Sequence, residues 1–237
     1  MKECQMLGNR SVEKVWLVGI VLSALIAWSP FGAQAAEDPP QQQLVEQARL
    51  TVEAFGTDPS MKYLLEDLGS GARALFIIPQ FLRGAFVVGG AGGSGVLIAR
   101  DPQSGHWSAP AFYGIGSASF GLQVGADVSE IIVIVKSERG LKEFYSTEFT
   151  LGVGAGLAVG PEGQGASAHG MHADLIAYAR KKGLFAGIAL DGAVVTVSGE
   201  SNRAYYGKPV EPRDIVDGAV TNPQSRALRE AAANLIK

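Results

Sequence analysis

Three residue patterns in this sequence could support chemistry, and the first is glycine-rich. Gly90-Ala91-Gly92-Gly93-Ser94-Gly95 spells the dinucleotide fingerprint G-x-G-x-x-G. In that fingerprint the third glycine opens a helix whose N-terminal amides hold a pyrophosphate. Val96–Arg100 favours a strand instead, and Asp101-Pro102 ends it at once. The pattern therefore predicts a hairpin or bulge glycine cluster, not a nucleotide site.

The second pattern is a metal-ligand set formed by His169, His172 and Asp174. Imidazoles three residues apart share one face of a helix, but the glycines of segment 163–170 favour a loop. There is no HExxH motif, and the single cysteine, Cys4, precedes an apolar N-terminal run. We therefore predict a structural or solvated role for these histidines, and no metal or other cofactor.

The third pattern concerns nucleophiles and acid–base pairs. No serine lies in G-x-S-x-G, and Asp127 and Glu130 are too few and too local to assign as a paired-carboxylate site. The sequence thus predicts a protein that is not an enzyme.

One segment combines the groups that peripheral lipid-binding proteins use. Pro79–Gly84 has the composition of a loop and carries aromatic, aliphatic and basic side chains together. We expect basic side chains here to meet lipid headgroups and two apolar ones to insert, the alternative being that Phe81 and Leu82 fill the core beneath the helices. The lipid-binding candidates are Lys62, Arg73, Phe81, Leu82 and Arg83.

The overall charge of the chain does not indicate a particular class of partner. A formal net charge of −3 and a pI near 5.7 give no general attraction for nucleic acid or an anionic bilayer, so such contacts require a local patch. Arg180-Lys181-Lys182 is one basic cluster, interpreted as a solvated turn with an anionic-headgroup site as the alternative. We expect no nucleic-acid partner.

The N-terminal segment predicts export. Three bases (Lys2, Arg10 and Lys14) precede the apolar run Val15–Trp28, and Ala33-Gln34-Ala35 follows. This order is typical of a secretory signal peptide over residues 1–35, cleaved between Ala35 and Ala36. The apolar run is shorter than the about 20 residues of a membrane-spanning helix, and an uncleaved anchor is the alternative. We expect a periplasmic or secreted protein with peripheral membrane contact only.

Helical patterns lie at both ends of the remaining chain. Residues 36–43 are polar and proline-rich and predict a flexible leader, so the folded domain is expected to span 44–237. Apolar spacing predicts an amphipathic helix over Leu44–Phe55, a second helix over Met61–Leu68 and a final one from Ser225 to Ile236. Pro212–Val216 adds a short helical turn.

Between these helices the sequence predicts a glycine-rich sheet. Connections such as 101–105 are hairpin-sized, which favours antiparallel pairing, and glycines within strands favour a strongly bent sheet or a closed barrel. The fold class is therefore α+β: a mainly antiparallel sheet with N-terminal helices and a C-terminal helix. The predicted strands are Leu75–Ile78, Ala85–Val88, Val96–Ala99, Ile131–Val135, Leu184–Leu190 and Ala193–Val197.

Several motifs in this region resemble one known family. The most specific are Trp107-Ser108-Ala109-Pro110-Ala111-Phe112 and Ser119-Phe120-Gly121-Leu122-Gln123-Val124-Gly125, together with Lys182-Gly183-Leu184-Phe185-Ala186-Gly187 and Tyr205-Tyr206-Gly207. These stretches resemble the SYLF domain family, and the similarity spans nearly the whole chain after the signal segment.

The resemblance implies a domain without known catalytic activity. Its eukaryotic members bind phosphoinositide membranes, partly through an N-terminal amphipathic helix, and some bind and bundle actin. Here the matching helix Leu44–Phe55 alternates Glu46 and Glu53 with a single Arg49, so it carries no basic face. The expected function is binding of a phospholipid or other amphiphile at a periplasmic membrane surface. The alternative is a scaffold that binds another protein, with actin-type binding less favoured for an exported chain.

Overall fold

The computed structural model describes residues 38–69, 71–159, 173–182 and 190–236, with the backbone alone at 85–88, 119–125 and 181–182. The helices are α1 (Pro40–Thr57), α2 (Lys62–Gly69), α3 (Glu138–Glu143), α4 (Gly199–Tyr206), α5 (Pro212–Val216) and α6 (Arg226–Asn234), with 3-10 turns at Pro59–Met61 and Pro223–Ser225. The strands are β1 (Ala74–Ala99), β2 (Ala111–Val135), β3 (Glu148–Thr150), β4 (Leu157–Val159), β5 (Leu175–Lys182) and β6 (Val194–Val197). No described helix is long and apolar enough to cross a membrane.

Helix α1 begins earlier than its apolar spacing predicted. It starts at Pro40, so residues 40–43 are helical and the prediction of a leader up to residue 43 was wrong there. Proline suits the first helical position because its φ angle is already helical and its missing N–H has no partner in that turn. On the outer surface of α1, Arg49 forms ion pairs with Glu46 and Glu53, each at 2.5 Å. The positive charge of Arg49 is therefore neutralised by acids of the same helix.

Strands β1 and β2 form one long antiparallel ribbon. The pairing runs from Leu97↔Ala111, next to the connecting turn, to Ala74↔Val135 at the far end. The prediction of three separate strands joined by loops was wrong here, because Pro79–Gly84 lies within β1. Proline is tolerated at an irregularity in a strand, and a register shift between Ile78 and Phe81 provides one.

The ribbon folds back on itself. The amide of Arg100, at the end of β1, donates to the carbonyl of Arg73 at its start over 2.6 Å. A Cβ atom on Gly95 would lie 2.7 Å from the carbonyl oxygen of Ile77, so the two halves of β1 pass too closely for a side chain at that position. The glycine cluster therefore permits close backbone approach and does not form a hairpin.

Strand β2 organises the rest of the sheet. Its first half pairs with β6, which pairs with β3, and its second half pairs with β5. Those ladders are antiparallel, and only β4 with β5 is parallel among the described strands. With the halves of β1 and β2 counted separately, eight segments form a curled half-barrel. The prediction of an α+β fold with a mainly antiparallel, strongly bent sheet is confirmed. Strand Leu184–Leu190 falls largely outside the described residues.

The sheet buries both of its faces. Alternate residues of β1 separate into two clusters: Phe76 and Ile78 pack with α3 and α5, whereas Leu75 and Ile77 pack beneath α1, α2 and α6. Burial of each such side chain contributes about 1.5–3 kcal/mol, which is why a strand with two apolar faces lies between two layers.

Candidate functional site

Three basic side chains line one cleft, which lies near both ends of strand β1 and the end of strand β2. Arg73 precedes β1, Arg100 follows it, and Lys136 follows β2. We call this the cationic cleft. Its volume is about 340 Å³, and its other lining residues are Gly71, Ala72, Asp101, Pro102 and Gly105.

Backbone pairing fixes the position of both arginines. The amide of Arg73 donates to the carbonyl of Val135 over 2.8 Å, and its own carbonyl accepts from Arg100. Arg100 also forms a β-bridge with the buried Trp107. The backbone of both arginines is therefore held in place at the end of the ribbon, and their side chains extend from fixed positions beside the cleft.

The turn after Arg100 forms the outer wall of the cleft. The Asp101 carboxylate accepts hydrogen bonds from the amides of Gln103 and Ser104, at 2.8 and 2.7 Å. These two backbone bonds lower the pKa of Asp101. Gly105 adopts a φ of 72°, which favours glycine, and its carbonyl accepts from Arg100 Nε over 3.4 Å.

Lys136 forms the buried side of the cleft. Its ammonium donates to the carbonyl of Asp67 over 2.8 Å and lies 3.7 Å from the Asp67 carboxylate. The Tyr178 hydroxyl donates to the same carboxylate over 2.5 Å. Burial, with Asp67 as the next contribution, raises the pKa of Tyr178. Asp67 therefore orients Lys136 but also offsets part of its charge.

The Arg73 side chain is more exposed than that of Lys136, at 42% against 18%. Its guanidinium donates to Glu138 over 3.1 Å, and the two side chains are 42% and 51% exposed. Such an exposed ion pair is worth about 0–1 kcal/mol, so an external anion can compete for the arginine. The guanidinium group of Arg73 has five N–H donors, and the hydrogen bond to Glu138 uses one of them.

The structure separates the residues that the sequence grouped as a lipid-binding patch. Lys62 lies on α2 with its ammonium 4.7 Å from the Tyr63 ring centre, and Arg73 is in the cationic cleft. Leu82 is 56% exposed, about nine residues or ~30 Å further along β1 from Arg73. Arg83 is half-buried on β1 and already has an interaction partner. These side chains do not form one continuous surface.

Phe81 needs a specific correction. It is 1% exposed and belongs to the core, so in this conformation it is not placed to insert into a bilayer. Consecutive residues of a strand point to opposite faces, and Phe81 and Leu82 therefore cannot insert together. The alternative that this pair fills the core holds for Phe81 alone.

Arg100 and Lys136 were missed in the sequence. Each lies next to an apolar strand, at the ends of Val96–Ala99 and Ile131–Val135. Bases that flank the two strands of a hairpin come together when the ribbon folds back, but the sequence does not show that folding. The basic cluster Arg180-Lys181-Lys182 is partly engaged elsewhere, because Arg180 pairs with Asp58 and Glu130 at 3.0 and 2.9 Å.

The acidic candidate Asp174 has a structural role. His169 and His172 lie outside the described residues, whereas the buried carboxylate of Asp174 accepts hydrogen bonds from Arg139, Ser137 and the amide of Gly156. The bond from Arg139 is the main cause that lowers its pKa to about 2. Among the residues in view, no three histidines, cysteines or acids are grouped as metal ligands.

Residues 116–235 match the Ysc84 family, which is described as "Las17-binding protein actin regulator". The chain belongs to this family, also called SYLF. The predicted resemblance is thereby confirmed, and the family description names binding and regulation, not a reaction.

Curated relatives place the match in larger proteins. The chain is 35% identical over 156 residues to SH3 domain-containing YSC84-like protein 1 of Bos taurus, covering 64% of this chain and 45% of that protein. It is 32% identical over 179 residues to LAS seventeen-binding protein 3 of Saccharomyces cerevisiae, covering 72% of this chain and 38% of that protein. The chain thus spans less than half the length of these relatives.

Proposed function

We propose that this Ysc84-family protein is a non-enzymatic binding module whose cationic cleft takes the phosphate-bearing headgroup of an anionic phospholipid. The observation that carries the proposal is the convergence of Arg73, Arg100 and Lys136 on one cleft. We further propose that export, with cleavage between Ala35 and Ala36, brings this peripheral contact to a periplasmic or outer surface.

The chemistry of the cleft suits phosphate. Arginine presents a planar fork of donors that matches two phosphate oxygens, and a lysine beside it adds a point charge. A cleft of about 340 Å³ is within the size range of small-molecule sites. Glu138 is the competitor that a headgroup must displace from Arg73.

Vesicle co-sedimentation tests this function. The purified protein is mixed with neutral vesicles and with vesicles containing about 30 mol % phosphatidylglycerol. This anionic fraction gives the vesicle a negative surface potential. The Arg73→Ala/Arg100→Ala variant is compared with Arg203→Ala/Arg226→Ala, a control that removes two exposed arginines from α4 and α6.

We expect binding to the anionic vesicles only, weakened about 30-fold by the cleft variant and far less by the control. Each basic residue near such a surface contributes about 1 kcal/mol, which is roughly a fivefold change in affinity. Raising the salt to about 1 M should release the protein, because exposed charges are then screened within about 3 Å. Equal pelleting of the two folded double variants would contradict the proposal.

A protein partner is the second candidate, favoured by the family description and by two exposed apolar side chains. Val153 and Val159 are 66% and 56% exposed, and within the described sheet β4 is an end strand. Co-sedimentation with purified actin filaments tests the partner that the family description suggests. Pelleting with actin that is lost in Val159→Lys, with the cleft variant unaffected, would favour this function over lipid binding.

A further inference from the structure

A second cleft, separate from the cationic one, lies between the start of α1, the strand β1 and the start of α4. Two adjoining cavities of about 390 and 260 Å³ form it and share four residues: Leu44, Ser94, Phe112 and Ser201. We call it the amide groove. Its further side chains include Gln41, Gln43, Gln47, Gln80 and Leu82 on one part and Thr196 and Ser198 on the other.

Among the described residues, no aspartate, glutamate, lysine, arginine or histidine lines the groove. The side-chain amides of Gln41, Gln47 and Gln80 make no hydrogen bond to the described part of the protein, whereas Gln43 donates to the carbonyl of Asp38 over 2.7 Å. A free primary amide offers two donors and an acceptor in one plane. The groove therefore presents paired donors and acceptors with no net charge to select an ion.

The floor of the groove is rigid. Phe112 is 1% exposed, and its backbone amide donates to Asn202 Oδ1 over 2.9 Å while its carbonyl accepts from Asn202 Nδ2 over 3.3 Å. Its ring lies 5.0 Å from that of Tyr205. Because the backbone and the ring of Phe112 are both held, the floor of the groove need not reorganise when a ligand binds, which lowers the entropy lost on binding.

Apolar groups complete the lining. Leu82 is 56% exposed on β1, and Leu44 is half-buried on α1. The two leucines, together with the amides and hydroxyls of the groove, suit a molecule that carries both hydroxyl groups and small apolar C–H surfaces.

Strand β2 offers no free edge at the groove. Its Tyr113 pairs with Gly95 of β1 on one side and with Val197 of β6 on the other, whereas the described ladders pair β1 with β2 alone. Peptides that bind by strand addition need an unpaired edge, so an extended peptide along β1 is the competing occupant. The free glutamine amides, which are side-chain groups, match the scattered hydroxyls and amides of a sugar.

We propose that the amide groove binds a neutral saccharide that carries N-acetyl groups. The glutamine amides pair with its hydroxyl and acetamido groups, and Leu44 and Leu82 contact its methyl and ring C–H groups. This site is independent of the cationic cleft, since the two have no lining residue in common.

Titration calorimetry with the N-acetylglucosamine trimer tests the proposal on the purified protein. We expect saturable binding that weakens at least tenfold in Gln47→Ala/Gln80→Ala and is unchanged in Gln103→Ala/Gln224→Ala, which removes two glutamines outside the groove. Leu82→Ala should also weaken binding, whereas Leu50→Ala, at a residue 51% exposed on α1, should not.

Three outcomes would overturn it: no heat with the trimer at millimolar concentration, equal binding by both glutamine pairs, or displacement of the trimer by an uncharged peptide that binds more tightly. Circular dichroism and thermal unfolding of every variant exclude misfolding as the cause of a loss. Vesicle binding, measured in parallel, should be unaffected by the glutamine changes.

Discussion

The close crossing of the two halves of β1 makes Gly95 a sensitive position. An added Cβ atom would lie 2.7 Å from the Ile77 carbonyl oxygen, 2.8 Å from the Phe76 ring and 3.0 Å from Ile78 Cγ1. The nearest of these atoms belongs to the backbone, which has little freedom to move within a paired strand. Gly95→Ala must therefore displace one half of the strand relative to the other.

The size of the effect follows from this overlap. Extra atoms in a packed core typically cost about 1–3 kcal/mol in the free energy of unfolding. In a domain of this size each kcal/mol shifts Tm by about 2–4 °C, so we expect Gly95→Ala to lower Tm by about 2–12 °C.

Urea and thermal unfolding followed by circular dichroism measure this change. Gly114→Ala is the matched control, because Gly114 lies in β2 with nothing within 4 Å of its added Cβ. Alanine is intrinsically favoured over glycine within a strand by about 0.5–1 kcal/mol, so the control should be unchanged or slightly stabilised. If Gly95→Ala were as stable as Gly114→Ala, the proposed crossing of the ribbon would be refuted.

Three further changes test other contacts. Asn202→Ala leaves the amide and carbonyl of Phe112 without their buried partner, and we expect a loss of about 2–4 kcal/mol in urea unfolding; a loss below 0.5 kcal/mol would contradict this role. The pKa of Asp174 is lowered from 3.8 to about 2, so its stabilising effect is complete above about pH 4 and is lost as the pH falls towards 2. Asp174→Asn should flatten the pH dependence of Tm in that interval, and a profile that remains as steep as wild type would show that other carboxylates dominate. Glu138→Gln removes the competitor for Arg73 and should tighten binding to anionic vesicles up to about fivefold, whereas Glu200→Gln on α4 should not.

Local patterns predicted the elements but not their continuity. The apolar runs Leu75–Ile78 and Val96–Ala99 do lie in strands, yet both belong to the single strand β1. Proline and glycine usually end strands, so Pro79–Gly84 was interpreted as a loop. A register shift accommodates the proline, and the glycines serve a close approach between residues distant in the chain. Neither circumstance can be deduced from neighbouring residues.

The candidate site was predicted only in part for the same reason. Arg73 was selected from the sequence, but its ion-pair partner Glu138 is 65 residues away. Arg100 and Lys136 reach it only through the folded ribbon. Lys62 and Leu82 were grouped with Arg73 because Pro79–Gly84 has the composition of a loop that carries apolar and basic side chains together. In the strand that forms instead, each residue adds about 3.3 Å to the distance between side chains. The family resemblance, in contrast, depends on motifs within continuous segments and could be seen directly.

The ribbon also determines the order in which this chain can fold. Leu97 and Ala111 pair across a short connection, whereas Ala74 cannot meet Val135 until all the intervening residues are available. During synthesis at about 5–20 residues per second, β1 therefore waits about 2–7 s for the whole of its partner strand. Over that interval a long apolar strand has an unpaired edge, which can associate with the same strand of a neighbouring nascent chain. Pairing that starts at the turn and proceeds outward shortens this exposure, because the loop to be closed at each step is small.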